Sequence, residues 1–375
     1  MACTQGCVES PGAPGERLSQ DSRHSDRWLE RLPLVTLYLS ERCNSRCITC
    51  DYWRHGRADM TLERVAKLAP SLRALGTRVV LISGGEPLLN REWRRIAGFL
   101  REQGLYLWLL TSGLSLAKHA RAVAQLFDRI TVSLDGARRE TYAAIRGVDA
   151  FEHVLAGVRA AIAAGAPASL RVTLQRGNFR ELPEFIELAH SSGASEISFL
   201  AVDVANPHAF ARREPTLPDV ALRPEELPEL ARILDALIRS RAPDFQSGFI
   251  AETPEKLLRI FRYFTAVCGL GRYPPVRCNA PEFSAVIDAQ GRVQPCFFIP
   301  GPPGELLGDG PSPPDLPSML NGTSMRALRT DIRSGRRPEC STCVCSMWRD
   351  LDGADAGVFA GQVAPRRRGV PAPVE

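Results

Sequence analysis

The chain carries three cysteines, Cys43, Cys47 and Cys50, in one short stretch, CNSRCITC at 43–50. Three thiolates can hold three irons of a [4Fe–4S] cube and leave the fourth iron open to a substrate or cofactor, as a catalytic metal keeps one coordination position free. A purely structural site would call for a fourth ligand. Further along, Ser83–Gly84–Gly85–Glu86–Pro87 combines two glycines, which let backbone approach a ligand closely, with a carboxylate able to accept from an ammonium group. The alternative for that segment is a tight turn with a helix-capping Glu. Thr111–Ser112–Gly113 and Ser133–Leu134–Asp135–Gly136 add small polar groups of the kind that line a binding site.

Such groups need a frame that brings separate loops together. From Leu34 onward, short apolar runs alternate with amphipathic stretches, the signature of β-strand and α-helix units around a parallel sheet. The predicted strands are Leu34–Leu39, Arg78–Ile82, Tyr106–Leu110, Arg129–Leu134, Ser169–Leu174 and Glu196–Leu200. Between them the apolar spacing predicts helices at Leu62–Leu75, Arg91–Gln103, Leu116–Leu126, Phe151–Ala164 and Leu182–Ser191. The cysteine stretch and the polar segments at 83–87, 111–113 and 133–136 all follow a strand's C-terminal end, where α/β barrels place their chemistry.

CNSRCITC, SGGEPLL at 83–89, TSG at 111–113 and SLDG at 133–136 together resemble the radical S-adenosylmethionine (radical SAM) superfamily over about residues 33–201. The resemblance implies an α/β fold built as a partial (β/α)6 TIM-like barrel, with Cys43, Cys47 and Cys50 as cluster ligands and catalytic centre. It also implies S-adenosylmethionine as cofactor, bound by Gly84, Gly85, Glu86 and Pro87 at the methionine amino group and by Ser112 and Ser133 at the ribose or carboxylate. Tyr52 is expected to supply an aromatic surface where the family carries an aromatic residue before the third cysteine and this chain has Thr49. The implied chemistry is reductive cleavage of S-adenosylmethionine to a 5′-deoxyadenosyl radical that takes a hydrogen atom from a substrate.

The C-terminal cysteines resemble the small auxiliary-cluster domain called twitch, the shortened relative of SPASM, over about residues 268–345. By that resemblance Cys278, Cys296, Cys340 and Cys343 hold one auxiliary [4Fe–4S] cluster, with Cys268 and Cys345 able to replace a ligand. The alternative is tetrahedral zinc in a non-catalytic interaction module. The expected domains are a flexible extension at 1–32, the radical SAM core at 33–222, a helical linker at 223–265, the auxiliary-cluster domain at 266–349 and a flexible tail at 350–375. A hairpin is predicted from Ser284–Ile287 and Arg292–Gln294, and two helices from Pro224–Arg241 and Pro254–Phe264, the latter with Leu257, Leu258, Phe261 and Phe264 in the core.

The bulk composition narrows the remaining choices. With 375 residues, 44% hydrophobic, the chain can bury a full core, and its net charge of +5 makes no case for nucleic acid. No apolar stretch suits a bilayer or a secretory signal, which predicts a cytoplasmic protein whose eleven cysteines serve metal or catalysis rather than disulfides. His119, His153, His190 and His208 have no ligand spacing and are read as surface or capping groups. Asp135, Arg146 and Arg171 are candidates for substrate contacts or for structural salt bridges. The 33 residues before the first strand are too few for a folded leader-binding domain, which favours a small molecule, of sugar or cyclitol type, over a peptide as substrate. A flavodoxin or ferredoxin is the expected electron donor.

Overall fold

The computed structural model describes residues 28–212, 218–303, 306–307 and 315–349. Residues 1–27 of the extension expected at 1–32, and the tail expected at 350–375, lie outside them. Six parallel strands carry the core: β1 (Leu34–Ser40), β2 (Val79–Gly84), β3 (Tyr106–Thr111), β4 (Arg129–Ser133), β5 (Ala168–Leu174) and β6 (Ile197–Ala201). They lie side by side in sequence order, the open partial barrel that the resemblance implies. Strands such as β1 and β2 are buried almost from end to end, because helices cover one face and the barrel interior fills the other.

The covering helices are α1 (Leu62–Ala74), α2 (Trp93–Glu102), α3 (Leu116–Leu126), α4 (Arg139–Arg146), α5 (Phe151–Ala163) and α6 (Leu182–Ser192). Five match the expected segments closely. α4 does not appear among them: it is short and charged, and its buried side chains are only Tyr142, Ile145 and Arg146, too few for a periodic signal. Its C-terminal Gly147 takes φ 67°, and a Cβ there would stand 2.2 Å from the Arg46 carbonyl oxygen. Glycine therefore lets α4 end directly against the cysteine loop.

Both edges of the sheet are extended. The hairpin forms as expected from β7 (Ser284–Ile287) and β8 (Val293–Gln294), but β7 also pairs in parallel with β1, from Leu34↔Ser284 to Leu37↔Ile287. The cysteines flanking the hairpin, Cys278 and Cys296, are thereby anchored to the strand that leads into Cys43. At the far edge Ile197 donates to Phe249 O (2.7 Å) and accepts from Ala251 N (2.9 Å), which lays residues 249–251 along β6. At the start of the described chain, Leu32 is fully buried and hydrogen-bonded to Leu75, so ordered packing begins before the boundary expected at 33.

Beyond β6 come α7 (Leu227–Ser240) and α8 (Pro254–Val267). In α8 the core face is Leu257, Ile260, Tyr263 and Phe264, whereas Leu258 is 39% exposed and Phe261 is half-buried. Of the expected stripe, Leu257 and Phe264 are in the core and Phe261 packs against it, whereas Leu258 faces out and Ile260 and Tyr263 complete the buried face. Among the described residues no helix is long and apolar enough to cross a membrane.

Candidate active site

The loop after β1 is fixed by its own backbone. Gly85 N donates to Ser40 O and Glu86 N to Arg42 O, each at 2.7 Å, while Arg46 N and Ile48 N donate to Arg146 O and Ile145 O at the end of α4. Arg42 pairs with Asp59 and donates to Leu89 O at 2.8 Å. The loop bearing the three cysteines is therefore held between the β2 loop on one side and α4 on the other.

The two glycines of the β2 loop have a reason the sequence reading did not give. A Cβ on Gly84 would lie 2.4 Å from Ser40 O, and one on Gly85 would lie 2.5 Å from both Glu41 O and Arg42 O. They admit the cysteine loop itself. Glu86 is fully buried: its carboxylate accepts from the Thr111 hydroxyl (2.8 Å), Ser112 N (2.7 Å) and Leu88 N (3.1 Å). The capping alternative describes this carboxylate, which braces β2 against β3, with burial raising its pKa. Pro87 opens the capped turn, Pro87–Leu89. The Ser112 hydroxyl donates to Asn44 Oδ1 at 3.2 Å, inside the cysteine loop, and Ser133 stands at the end of β4 opposite Arg171.

Burial is the first cause that raises the Cys43 thiol to about 11 and Cys50 to about 12, with neighbouring thiols adding to both; it raises Cys47 as well, against the pull of Arg146. The Ser45 hydroxyl in the same loop is fully buried and has no hydrogen-bond partner. Half-buried thiols that raise one another resist ionising one at a time, and a polycationic centre that binds them all ionises them together. This donor set, with an orphaned hydroxyl beside it, fits an iron–sulfur cluster.

The second cysteine group assembles at the far side of the mouth. Cys278, Cys296 and Cys340 share a small apolar cluster with Ile299 and Ile332. Backbone amides point at two of the sulfurs, Ala280 N to Cys278 (3.5 Å) and Phe298 N to Cys296 (3.4 Å). Residues 346–349 clip onto 277–279, through Ser346 to Arg277 and through Asn279 to Met347 and Arg349. That clip brings Cys345 alongside the group: burial raises its thiol to about 12, with Cys278 and Cys296 contributing. Cys343, next to it, is also raised, by burial and then by Cys345. Cys268 stands elsewhere, packed against the main core with its Sγ 3.2 Å from Leu222 O. Of the two spare cysteines, only Cys345 is placed to serve. Among the described residues no three His, Cys, Asp or Glu side chains are close enough to hold a single metal ion.

A short series of aromatic rings runs from the first group toward the second. Tyr52 meets Tyr38 edge-on at 5.9 Å, and Tyr38 in turn lies 6.5 Å from Phe297, beside Cys296. Asp135 and Arg146 form a buried pair at 3.0 Å, and Arg171 donates to Ser198 at 3.3 Å. The histidines keep to local roles: His153 meets Leu114 O at 2.8 Å and His190 stacks on Phe249 at 3.8 Å. The sequence reading missed Asp203, Arg212 and Glu252. The first two lie in the irregular stretch just before the domain boundary expected at 222–223, and nothing in the pattern there marks a site.

Comparison with known proteins agrees with this architecture. Residues 37–189 match the family model of the radical SAM superfamily. The chain is 30% identical over 285 residues to a GTP 3′,8-cyclase of Erythrobacter litoralis, an alignment covering 72% of this chain and 81% of that protein. It is 34% identical over 186 residues to a probable GTP 3′,8-cyclase of Saccharolobus solfataricus, covering 47% of this chain and 58% of the relative, a little over half its length. Among solved structures, Streptococcus suis SuiB bound to S-adenosylmethionine has TM-score 0.60 at 13% identity, covering 88% of this chain and 76% of SuiB. Native anSMEcpe with bound AdoMet has TM-score 0.59 at 14% identity, covering 88% and 96%. SuiB was also solved with its precursor peptide SuiA.

The chain belongs to the radical SAM superfamily. It is an enzyme that works by radical chemistry with a [4Fe–4S] cluster and S-adenosylmethionine, and the reading as a non-catalytic zinc module falls with that membership.

Proposed function

We propose that Cys43, Cys47 and Cys50 ligate the catalytic cluster and that the enzyme takes a hydrogen atom from a small biosynthetic molecule bearing a sugar or cyclitol ring. The relatives are named for GTP, so a nucleoside triphosphate, whose ring is a ribose, is the first substrate to try. The observation that carries the reading is the clamping of the three-thiol loop between Gly84–Gly85 and the end of α4, which holds the half-buried thiols at the strands' C-terminal ends. When bound, the cluster supplies the electron that breaks the C–S bond of S-adenosylmethionine.

The protein's own groups do the rest. Backbone at Gly84–Pro87 is assigned to the methionine amino group, Glu86 acting behind it as a brace. Ser112 and Ser133 are assigned to the ribose or carboxylate, and Tyr52 to the aromatic wall. Cys278, Cys296, Cys340 and Cys343, with Cys345 available, are assigned to an auxiliary cluster that exchanges an electron with the substrate, supplied through a flavodoxin or ferredoxin in the cytoplasm. A peptide substrate is the second reading; its support is the fold shared with SuiB, at an identity that speaks for the fold alone.

The test is anaerobic reconstitution. The wild type should hold about eight irons, absorb near 400 nm and release 5′-deoxyadenosine on reduction. Cys47→Ala should abolish that release. Cys340→Ala should keep it while ending product formation on a panel of nucleotide and sugar substrates. Release from Cys47→Ala, or product from Cys340→Ala, would remove the respective cluster from the mechanism.

A further inference from the structure

Phe210 and Ala211 have positive φ, 59° and 56°, although neither is glycine. Such backbone is strained and persists only where the surroundings impose it. It delivers Arg212 to a place where the residue is 7% exposed and where Nε, Nη1 and Nη2 all lack a hydrogen-bond partner. The Phe210 ring covers one side of the guanidinium, at 5.3 Å. On the same loop Asp203, 3% exposed, gives Oδ1 to the amides of Ala205 and Asn206, while Oδ2 has no partner. A buried guanidinium and a buried carboxylate oxygen left without hydrogen bonds are each costly; Asp203 is the leading charge partner of Arg212, yet no hydrogen bond joins the two. A polar ligand with both acceptor and donor groups would satisfy them together.

Their position says which ligand. Phe210 O accepts from Asp51 N (2.9 Å), next to Cys50, and the Phe210 ring stands edge-on to Phe298 at 6.2 Å. Asn206 donates to Phe298 O at 2.9 Å, two residues past Cys296. The loop therefore runs from the first thiol group to the second, the interval a substrate must occupy to meet both.

We propose that Arg212 and Asp203 form a subsite for a phosphorylated sugar, the guanidinium fork taking the phosphate and Asp203 Oδ2 accepting from a ring hydroxyl. This rests on the small-molecule reading above and adds a charge to it. A planar fork with all three nitrogens free matches phosphate geometry bidentately.

The test uses reconstituted holoenzyme under anaerobic conditions and reads the thermal midpoint, with pyrophosphate, malonate and chloride as probes at matched ionic strength. Pyrophosphate should raise the wild-type midpoint by about 2 °C beyond the chloride control. The shift should vanish in Arg212→Met and survive in part in Arg212→Lys. No shift in the wild type, an equal shift in Arg212→Met, or a larger shift with malonate would overturn the proposal. If Arg212→Met loses its absorbance near about 400 nm, the wild type against Arg212→Lys decides. Release of 5′-deoxyadenosine, read separately, tests the radical reading, so the two can fail independently.

Discussion

The Arg146 guanidinium donates to the Asp135 carboxylate at 3.0 Å, with side chains only 10% and 6% exposed. Asp135 comes from the loop after β4 and also accepts from Thr173 N of β5 at 2.7 Å. Arg146 ends α4 and offers its carbonyl to the cysteine loop. One ion pair thus ties two strands to the segment that carries Cys43, Cys47 and Cys50.

Breaking it should cost more than its own energy, because Arg146 would stay buried and charged. Removing one partner of a buried pair typically costs about 3–5 kcal/mol. Asp135→Asn should fall near the lower figure, since the amide still accepts one hydrogen bond, and should lower iron uptake during reconstitution. Urea unfolding and iron analysis read both effects. Wild-type stability would mean that the thiols alone satisfy Arg146.

The glycines of the β2 loop allow a sharper contrast. Gly85→Ala would bring a Cβ within 2.5 Å of two carbonyl oxygens of the cysteine loop, so it should destabilise by about 2 kcal/mol or more and impair cluster assembly. Gly98→Ala, inside α2 with nothing within 4 Å of the new Cβ, should be neutral or stabilise by up to about 1 kcal/mol. Similar losses in both variants would refute the close-approach account.

How far the sequence speaks is itself explained by these contacts. The six strands were legible because parallel strands buried on both faces read as apolar runs, and the thiol triplet was legible because its ligands are local. α4 was not, because two apolar side chains make no period. The motif at 83–87 was found, but the purpose of its glycines and of Glu86 depends on partners in the 40–42 segment behind it and at Thr111, twenty-five residues ahead. Asp203 and Arg212 sit in an aperiodic Pro-rich stretch, where only long-range packing shows that they are buried.

Cys268 and Cys345 were indistinguishable in sequence, and the fold separates them. Cys268→Ser should leave the iron content and spectrum unchanged, because its sulfur faces Leu222 O beside the main core. Cys345→Ser should lower the yield of the second cluster or alter its electron paramagnetic resonance signal, since its thiol stands in the field of Cys278 and Cys296. Should Cys268→Ser cost iron instead, the auxiliary group would need a different ligand set.

Glu252 carries a pH signature. Its carboxylate accepts from Phe199 N of β6 at 2.7 Å, and burial raises its pKa to about 7 against the partial relief given by Arg171 of β5 and Lys256 of α8. A carboxyl whose folded pKa exceeds its unfolded value binds its proton more tightly when folded. Its burial is therefore harmless below about pH 4, costs stability progressively as pH rises, and reaches its full cost above about pH 7. Partial exposure limits that cost to on the order of 2 kcal/mol. Glu252→Gln keeps an acceptor for Phe199 N and removes the titration. The variant should match the wild type in urea unfolding at pH 5 and exceed it by about that amount at pH 8. Parallel stability profiles for the two proteins across this range would show that Glu252 is already ionised at neutral pH, with Arg171 as its full partner.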